Sequence, residues 1–312
     1  CLLFLNKKKN KKFTLIDVVN PSEWSHDKAV GEQYQIEQPN AQSKWNFSNP
    51  AKQNILLKLE AMPHTLADVT RKIFVGLQTS ADKIYVLKIL EWKKKTVVCF
   101  SKSSEQEVEI EIGLVKPFLM GKDVQRNQAP QPNNVVIFPY TIHEGKAIVM
   151  EQSYLKTNFP KGWDYIQSHK RELEQRENGK MKHEKFYAYI YPKNLVEFDV
   201  EKIMTPEIAL GCQFTLDKSF NYHTTKVYSL AFNDNVKENR LYYLGLLNSP
   251  LLWYYLKSTG YVLRGGYFTF KTEYLKPFRI KTIDFKNKQE KSSHDEIVKL
   301  VEQLLALNEE LT

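Results

Sequence analysis

The chain is poor in cysteine and its glycines form no motif, and each lack closes off a class of chemistry. Its three cysteines, Cys1, Cys99 and Cys212, lie far apart among 312 residues. They form no Cys-x-x-Cys pair, which argues against a disulfide framework and a zinc site and suits a reducing cytoplasm. The 12 glycines build neither a Gly-x-Gly-x-x-Gly nor a Gly-x-x-x-x-Gly-Lys loop, so there is no such cradle for a nucleotide's phosphates. No Gly-x-Ser-x-Gly elbow offers an acyl-transfer nucleophile. The 7 histidines never pair at i, i+4 around a carboxylate, which excludes a zincin site.

Long hydrophobic runs are also lacking. Leu2-Leu3-Phe4-Leu5 is too short for the core of a signal peptide. Leu241–Leu256 is strongly apolar, but Asn248-Ser249-Pro250 cuts it and it is too short to span a bilayer. Two catalytic signatures are incomplete. Glu91-Trp92-Lys93 and Glu144-Gly145-Lys146 match the second half of a Mg²⁺ nuclease motif, but no Pro-Asp precedes either. An adenine methyltransferase grips its flipped base with an Asn/Asp-Pro-Pro-aromatic loop. Asn20-Pro21-Ser22 and Asn49-Pro50-Ala51 do not supply one. No catalytic, cofactor-binding or metal-binding residue is therefore expected in this chain.

What the chain does have is positive charge. Lys and Arg number 45 against 36 Asp and Glu, a net charge of +9. Such an excess favours a nucleic acid or an acidic membrane as partner; the alternative is a basic surface with none. The basic residues are spread out. Only Lys7–Lys12 and Lys93–Lys95 cluster, and both read as solvated turns or exposed faces. The length suffices for a large core and two units. The start at Cys1, inside an apolar run, reads as a piece of a longer protein.

Along the chain, Cys1–Asn20 reads as a hairpin whose second strand is Phe13–Val19, with its natural partner in a sheet upstream. Pro21–Pro50 is polar and reads as a linker, and Asn49–Glu60 as a short helix. Lys83–Leu90, Lys95–Phe100, Glu107–Ile112 and Val135–Phe138 carry β-branched residues and strand periodicity. Asp164–Arg176 reads as a helix, and Phe186–Tyr191 and Lys226–Phe232 as strands. Leu241–Leu256 predicts two buried helices meeting at a corner, with Ser249 capping the second and Pro250 in its first turn. A last strand pair is expected around Gly265-Gly266. Ser293-His294-Asp295-Glu296 reads as a capping box. Beyond it, Ile297, Leu300, Leu304, Leu307 and Leu311 alternate at spacings of three and four, a heptad seam or a helix packed on its own domain.

Four loops mix glycine with donors suited to DNA: Gly76–Ser80, Lys116–Arg126, Phe138–Tyr140 and Arg264–Tyr267. Arg and Lys bond phosphates or guanine edges, and Gln reads adenine. Gln78, Thr79, Lys122, Arg126, Tyr140 and Arg264 are the expected DNA contacts, with Gly76, Gly265 and Gly266 shaping the loops.

Val75-Gly76-Leu77-Gln78-Thr79-Ser80 followed by Lys83-Ile84-Tyr85-Val86 resembles the opening block of the TaqI-like C-terminal specificity domain. Lys116–Val124, Ile137–Tyr140, Lys202–Ala209 and Tyr243–Leu251 are similar to later blocks, in the family's order. The resemblance covers roughly Leu66 to Ile280. Ser80 stands where the family often has Gly. The resemblance implies an α+β fold, with a β-rich, β-helix-like recognition domain, helical hairpins and a C-terminal helix. It divides the chain into the last hairpin of an upstream methyltransferase domain (1–20), a linker with a short helix (21–65), a recognition domain (66–285) and an amphipathic helix (286–312). It implies that the chain reads double-stranded DNA while the upstream methyltransferase domain flips adenine and methylates N6. The parent would be an adenine methyltransferase or a fused type IIG restriction–modification enzyme. S-adenosylmethionine would belong to that domain, with Mg²⁺ where the parent also carries a nuclease; no cofactor is expected in this chain. Two alternatives remain. One is a separate specificity subunit that assembles or self-associates through its C-terminal helix. The other is an unrelated enzyme or a single-strand RNA binder using exposed aromatics.

Overall fold

The computed structural model describes residues 12–18, 20, 22, 31–37 and 50–311. Two compact units result, Cys1–Pro63 and His64–Thr312. In the first, Lys12–Asp17 pairs antiparallel with Glu32–Glu37, Phe13 facing Ile36 and Leu15 facing Tyr34. The expected strand is therefore present, but its partner lies in the polar stretch read as linker. Alternation in Gln33-Tyr34-Gln35-Ile36 is enough for a strand once an apolar neighbour faces it. The first strand of the expected hairpin falls outside the described residues. The helix Pro50–Glu60 forms as read and buries Leu56 and Leu59.

The second unit has two main sheets. The larger runs in the order Tyr222–His223, Val115–Leu119, Asn134–Ile137, Val86–Trp92, Thr96–Ser101, Gln106–Glu111. All its neighbours are antiparallel except the first pair. Val135, Val136 and Ile137 lie near its centre and are fully buried, as a short unbroken apolar run would be. The smaller sheet runs Thr215–Asp217, Lys202–Pro206, Val227–Phe232, Thr70–Val75, all antiparallel. The mixed α/β reading holds. The β-helix-like detail is not confirmed, since these ladders are mostly antiparallel.

Several expected elements differ. The helix expected over Asp164–Arg176 is interrupted at His169, which closes Pro160–Ser168 and precedes Lys170–Glu174. Its Nε2 lies 2.8 Å from Ser103 Oγ, tying the break to the turn after Ser101. Phe186–Tyr191 is not a strand. Buried side chains satisfy its backbone in place of a ladder: Arg176 donates to the Ala188 carbonyl at 2.9 Å, and the Tyr189 N–H donates to the Tyr140 hydroxyl at 2.6 Å. The strand pair expected around Gly265-Gly266 is reduced to one antiparallel bridge, Val262 to Phe268. Arg264–Gly266 is the tight turn between them, and the longer ladder of Phe268–Thr269 is with Ile208–Ala209.

The corner in the apolar run is as expected, with helices Arg240–Leu247 and Pro250–Thr259. Ser249 occupies the capping position, but its hydroxyl bonds back to the Leu246 carbonyl at 2.6 Å. Among the described residues no helix is long and apolar enough to cross a membrane. The C-terminal helix starts earlier than read, at Lys288, because Asn287 caps Gln289 and Glu290. Its inward face is buried His294 and Val301 with half-buried Ile297, and Ile297 and Val301 are set against Gly245 of the corner helix. Leu300, Leu304, Leu307 and Leu311 stay exposed. The helix therefore packs on its own domain, and most of the leucine seam lies outside that contact.

Candidate nucleic-acid interface

Asn248, at the helical corner, is the hub from which one surface groove is built. It is 5% exposed. Its side-chain amide donates to Asn127 Oδ1 at 2.7 Å and to the Phe214 carbonyl at 2.9 Å, and its Oδ1 accepts from the Phe214 N–H at 2.9 Å. Its own carbonyl accepts from Arg126 Nη2 at 2.7 Å. Three remote segments, around 126, 214 and 248, are locked by one side chain and its carbonyl.

Next to this hub lies a groove of about 760 Å³, lined by Lys122, Gln125, Arg126, Glu207, Gln213, Lys226 and Tyr267 among others. Lys122 sits on a one-turn segment that closes on itself. Asp123 accepts from the Met120 N–H at 2.7 Å and donates its own N–H to the Met120 carbonyl at 3.0 Å. The turn holds Lys122 outward. Glu207 lies between two lysines, 3.2 Å from Lys226 and 3.7 Å from Lys271. Both lysines are well exposed, so these pairs are weak and open to exchange for a phosphate. The groove thus offers cations for phosphates and amides for base edges.

Of the expected contacts, the structure brings Lys122 and Arg126 into the groove. Arg264, Gly265 and Gly266 form the adjoining turn. They are exposed, and the glycines are left-handed at φ 83° and 80°. Tyr267, directly after the turn, lines the groove.

The Gly76–Ser80 loop is mostly turned inward. Thr79 is fully buried; its hydroxyl bonds Asp82, accepts from the Ala81 N–H at 3.1 Å, and its carbonyl accepts from Arg176. It shapes the loop and presents no group to a duplex. Gly76 faces its neighbour strand. A Cβ there would stand 2.1 Å and 2.3 Å from the His223 and Thr224 carbonyls. Its glycine allows close packing on His223, not approach to DNA. His223 is itself fully buried, and burial pulls its pKa down to about 3. Gln78 alone of the loop's expected contacts is exposed. Tyr140 is also corrected. It is 4% exposed, its hydroxyl accepts the Tyr189 N–H, and burial pushes it up to about 12.

Ser80 has φ 59°, so the position where the family often has Gly is left-handed. The strain of an L-residue there is about 1–2 kcal/mol, and glycine's extra unfolded-state entropy cancels part of it. Ser80→Gly is expected to stabilise the unit by roughly 0.5–1 kcal/mol, read as a raised thermal midpoint. A lowered midpoint would contradict it.

Sequence reading missed Glu207, Gln213 and Lys226 as groove residues. Nothing local marks Lys226 among 45 basic residues; only the meeting of chain segments far apart in sequence places it there. Glu207 carried a signal, since it falls in the Lys202–Ala209 block.

Comparison with known proteins agrees with the blocks that meet at the groove. Across 318 aligned residues, 95% of this chain is 26% identical to the type II restriction enzyme and methyltransferase RM.Eco57I of Escherichia coli, covering 31% of that protein. Over 97 residues, 31% of the chain is 34% identical to the type II methyltransferases M.HincII and M.HindII of Haemophilus influenzae, covering 19% and 18% of them. The chain spans less than a third of the length of these relatives. Residues 116–280 match the TaqI-like C-terminal specificity domain, more than half of the chain, and the chain belongs to that family.

Proposed function

We propose that this chain recognises a site in double-stranded DNA on behalf of a type II modification or restriction–modification enzyme. The observation that carries the reading is the groove. Two blocks of the family and Tyr267 converge on it and line it with Lys122, Arg126 and Lys226, and exposed Arg264 stands on the turn that leads into Tyr267. Phosphate contacts from these cations fix register, and Gln125 and Gln213 are placed to read base edges. Catalysis is assigned to a methyltransferase domain outside the chain, which binds S-adenosylmethionine, flips adenine and methylates N6. Mg²⁺ enters only if the parent also cleaves, and the setting is the cytoplasm.

A separate specificity subunit is the second reading, favoured by the exposed Leu300, Leu304, Leu307 and Leu311. An in-frame Asn-Pro-Pro-aromatic motif in the upstream coding sequence selects the first.

The test is a salt titration of duplex binding by the 312-residue chain. Lys122→Ala and Arg264→Ala are each expected to weaken binding and to reduce the slope of log K against log salt by about 1. Unchanged affinity and slope in both variants would remove the groove from the interface, and equal affinity for single-stranded RNA would favour the RNA reading.

A further inference from the structure

The exposed apolar side chains near the groove are gathered into a ridge. Ile208, Leu210, Tyr261, Val262 and Tyr267 are between 41% and 60% exposed. The short ladders hold them together. Ile208 pairs with Thr269, Ala209 pairs with Phe268, and Val262 bridges Phe268 from the other side. Leu210 Cδ2 lies 4.0 Å from where a Cβ on Gly266 would stand, so the turn meets the Leu210 loop. The Leu263 N–H donates to the Tyr267 carbonyl at 2.7 Å, and the Gly266 N–H to the Leu263 carbonyl at 3.1 Å. Beneath the ridge, buried Phe268 meets Trp253 edge to face, with ring centroids 5.1 Å apart. The ridge is thus a supported structure, and Ile208 and Tyr267 belong to the groove wall as well.

Large apolar side chains left exposed on a supported turn, as Leu210 and Tyr267 are, mark an interaction surface. Its surroundings identify the occupant. Lys122, Arg126 and Lys226 in the groove, with exposed Arg264 on the turn itself, make the setting cationic, so the partner is anionic where it meets them and apolar where it meets the ridge. A duplex is both, anionic along its backbone and apolar between its stacked bases. We propose that Leu210 and Tyr267 form a wedge that enters a base step of the bound duplex and unstacks it. This rests on the DNA reading above. Wedges of apolar side chains kink duplexes in this way, and pyrimidine–purine steps yield most easily. The ridge therefore adds selectivity for a deformable step, separate from any hydrogen bond to a base edge.

The experiment binds the 312-residue chain to closed circular plasmid, relaxes the plasmid with a topoisomerase and measures linking number after the protein is removed. Filter binding at the same salt gives occupancy. Wild type is expected to lower the linking number in proportion to bound protein. The combined Leu210→Ala, Tyr267→Ala variant, compared with wild type at equal occupancy, is expected to leave linking number unchanged. Leu210→Ser alone, expected to lose part of the effect, serves if the combined variant does not fold. Wild type that binds without changing linking number overturns the wedge and leaves the DNA reading standing. So does a folded ridge variant that unwinds as wild type does. A dimer in sedimentation that the ridge variant dissolves assigns the ridge to a second copy and overturns the wedge too. Absence of binding in the filter assay removes both readings together.

Discussion

Replacing Asp217 with Ala is expected to lower the unfolding free energy by about 3–5 kcal/mol. Asp217 and Lys202 face each other across neighbouring strands of the smaller sheet, both fully buried, with Nζ and Oδ2 2.6 Å apart. The carboxylate also accepts from the Ser219 N–H at 3.1 Å, the Asn221 N–H at 2.8 Å and Asn221 Nδ2 at 2.8 Å. Lys202 has the Phe198 carbonyl at 2.9 Å besides its carboxylate. Removing Asp217 strands an ammonium in the core and frees the chain at 219–221. Burial already pulls the Lys202 pKa down, and Asp217 is the main group opposing that pull. Without it the pKa falls further and the lysine sheds its proton. A folded-state pKa below the unfolded value means that the unfolded chain binds more protons in the interval between them. Stability of the variant therefore rises with pH across that interval, up to the ordinary lysine range. Urea unfolding followed by tryptophan fluorescence at several pH values reads both effects. Adding Lys202→Met to Asp217→Asn is expected to recover much of the loss, since replacing both charges removes the unpaired one. A loss under about 1 kcal/mol in Asp217→Ala would contradict a buried, charged pair.

The pair also shows what sequence can and cannot disclose. Lys202 and Asp217 are ordinary surface residue types, and only the register Lys202 to Asp217 makes them a core pair. By contrast, Asn248-Ser249-Pro250 was readable because its chemistry is local: proline at a first helical turn and a break in an apolar run. Thr96–Ser101 was readable for the same reason, its burial alternating as its β-branched sequence predicts. Phe186–Tyr191 has a strand's composition, but Arg176 and Tyr140 satisfy part of its backbone from a distance. The C-terminal helix is capped by Asn287, not Ser293, because any Asn or Ser ahead of a helical pattern is a candidate cap. Among the loops, residue type marked donors correctly and exposure decided their use. Lys122 and Arg126 reach solvent, whereas Thr79 and Tyr140, no less polar, are spent inside the core.

Asn248→Ala is expected to cost roughly 2–4 kcal/mol, because it takes a hydrogen bond from three buried partners at once. The Phe214 N–H, the Phe214 carbonyl and Asn127 Oδ1 lose the side chain that bonds them. Phe214 is fully buried, so water does not readily replace those bonds. One neighbouring contact survives, because the Phe214 carbonyl also accepts from the Asn127 N–H at 3.1 Å. Asn248→Asp separates shape from donor chemistry. It keeps an acceptor for the Phe214 N–H but sets a carboxylate against two acceptor oxygens, so it is expected to be at least as damaging as alanine. The effect on DNA differs from that of Lys122→Ala. Losing Lys122 removes one cation and lowers the salt slope. Losing the Asn248 amide leaves every cation in the chain but releases the 126–127 segment that holds Arg126, so stability falls as well, and affinity and slope fall only as far as Arg126 leaves its phosphate. Binding measured well below the unfolding transition distinguishes the two. If Asn248→Ala loses stability but binds DNA as wild type does, the corner is a structural joint alone; loss of affinity with a lowered slope makes it the residue that positions Arg126.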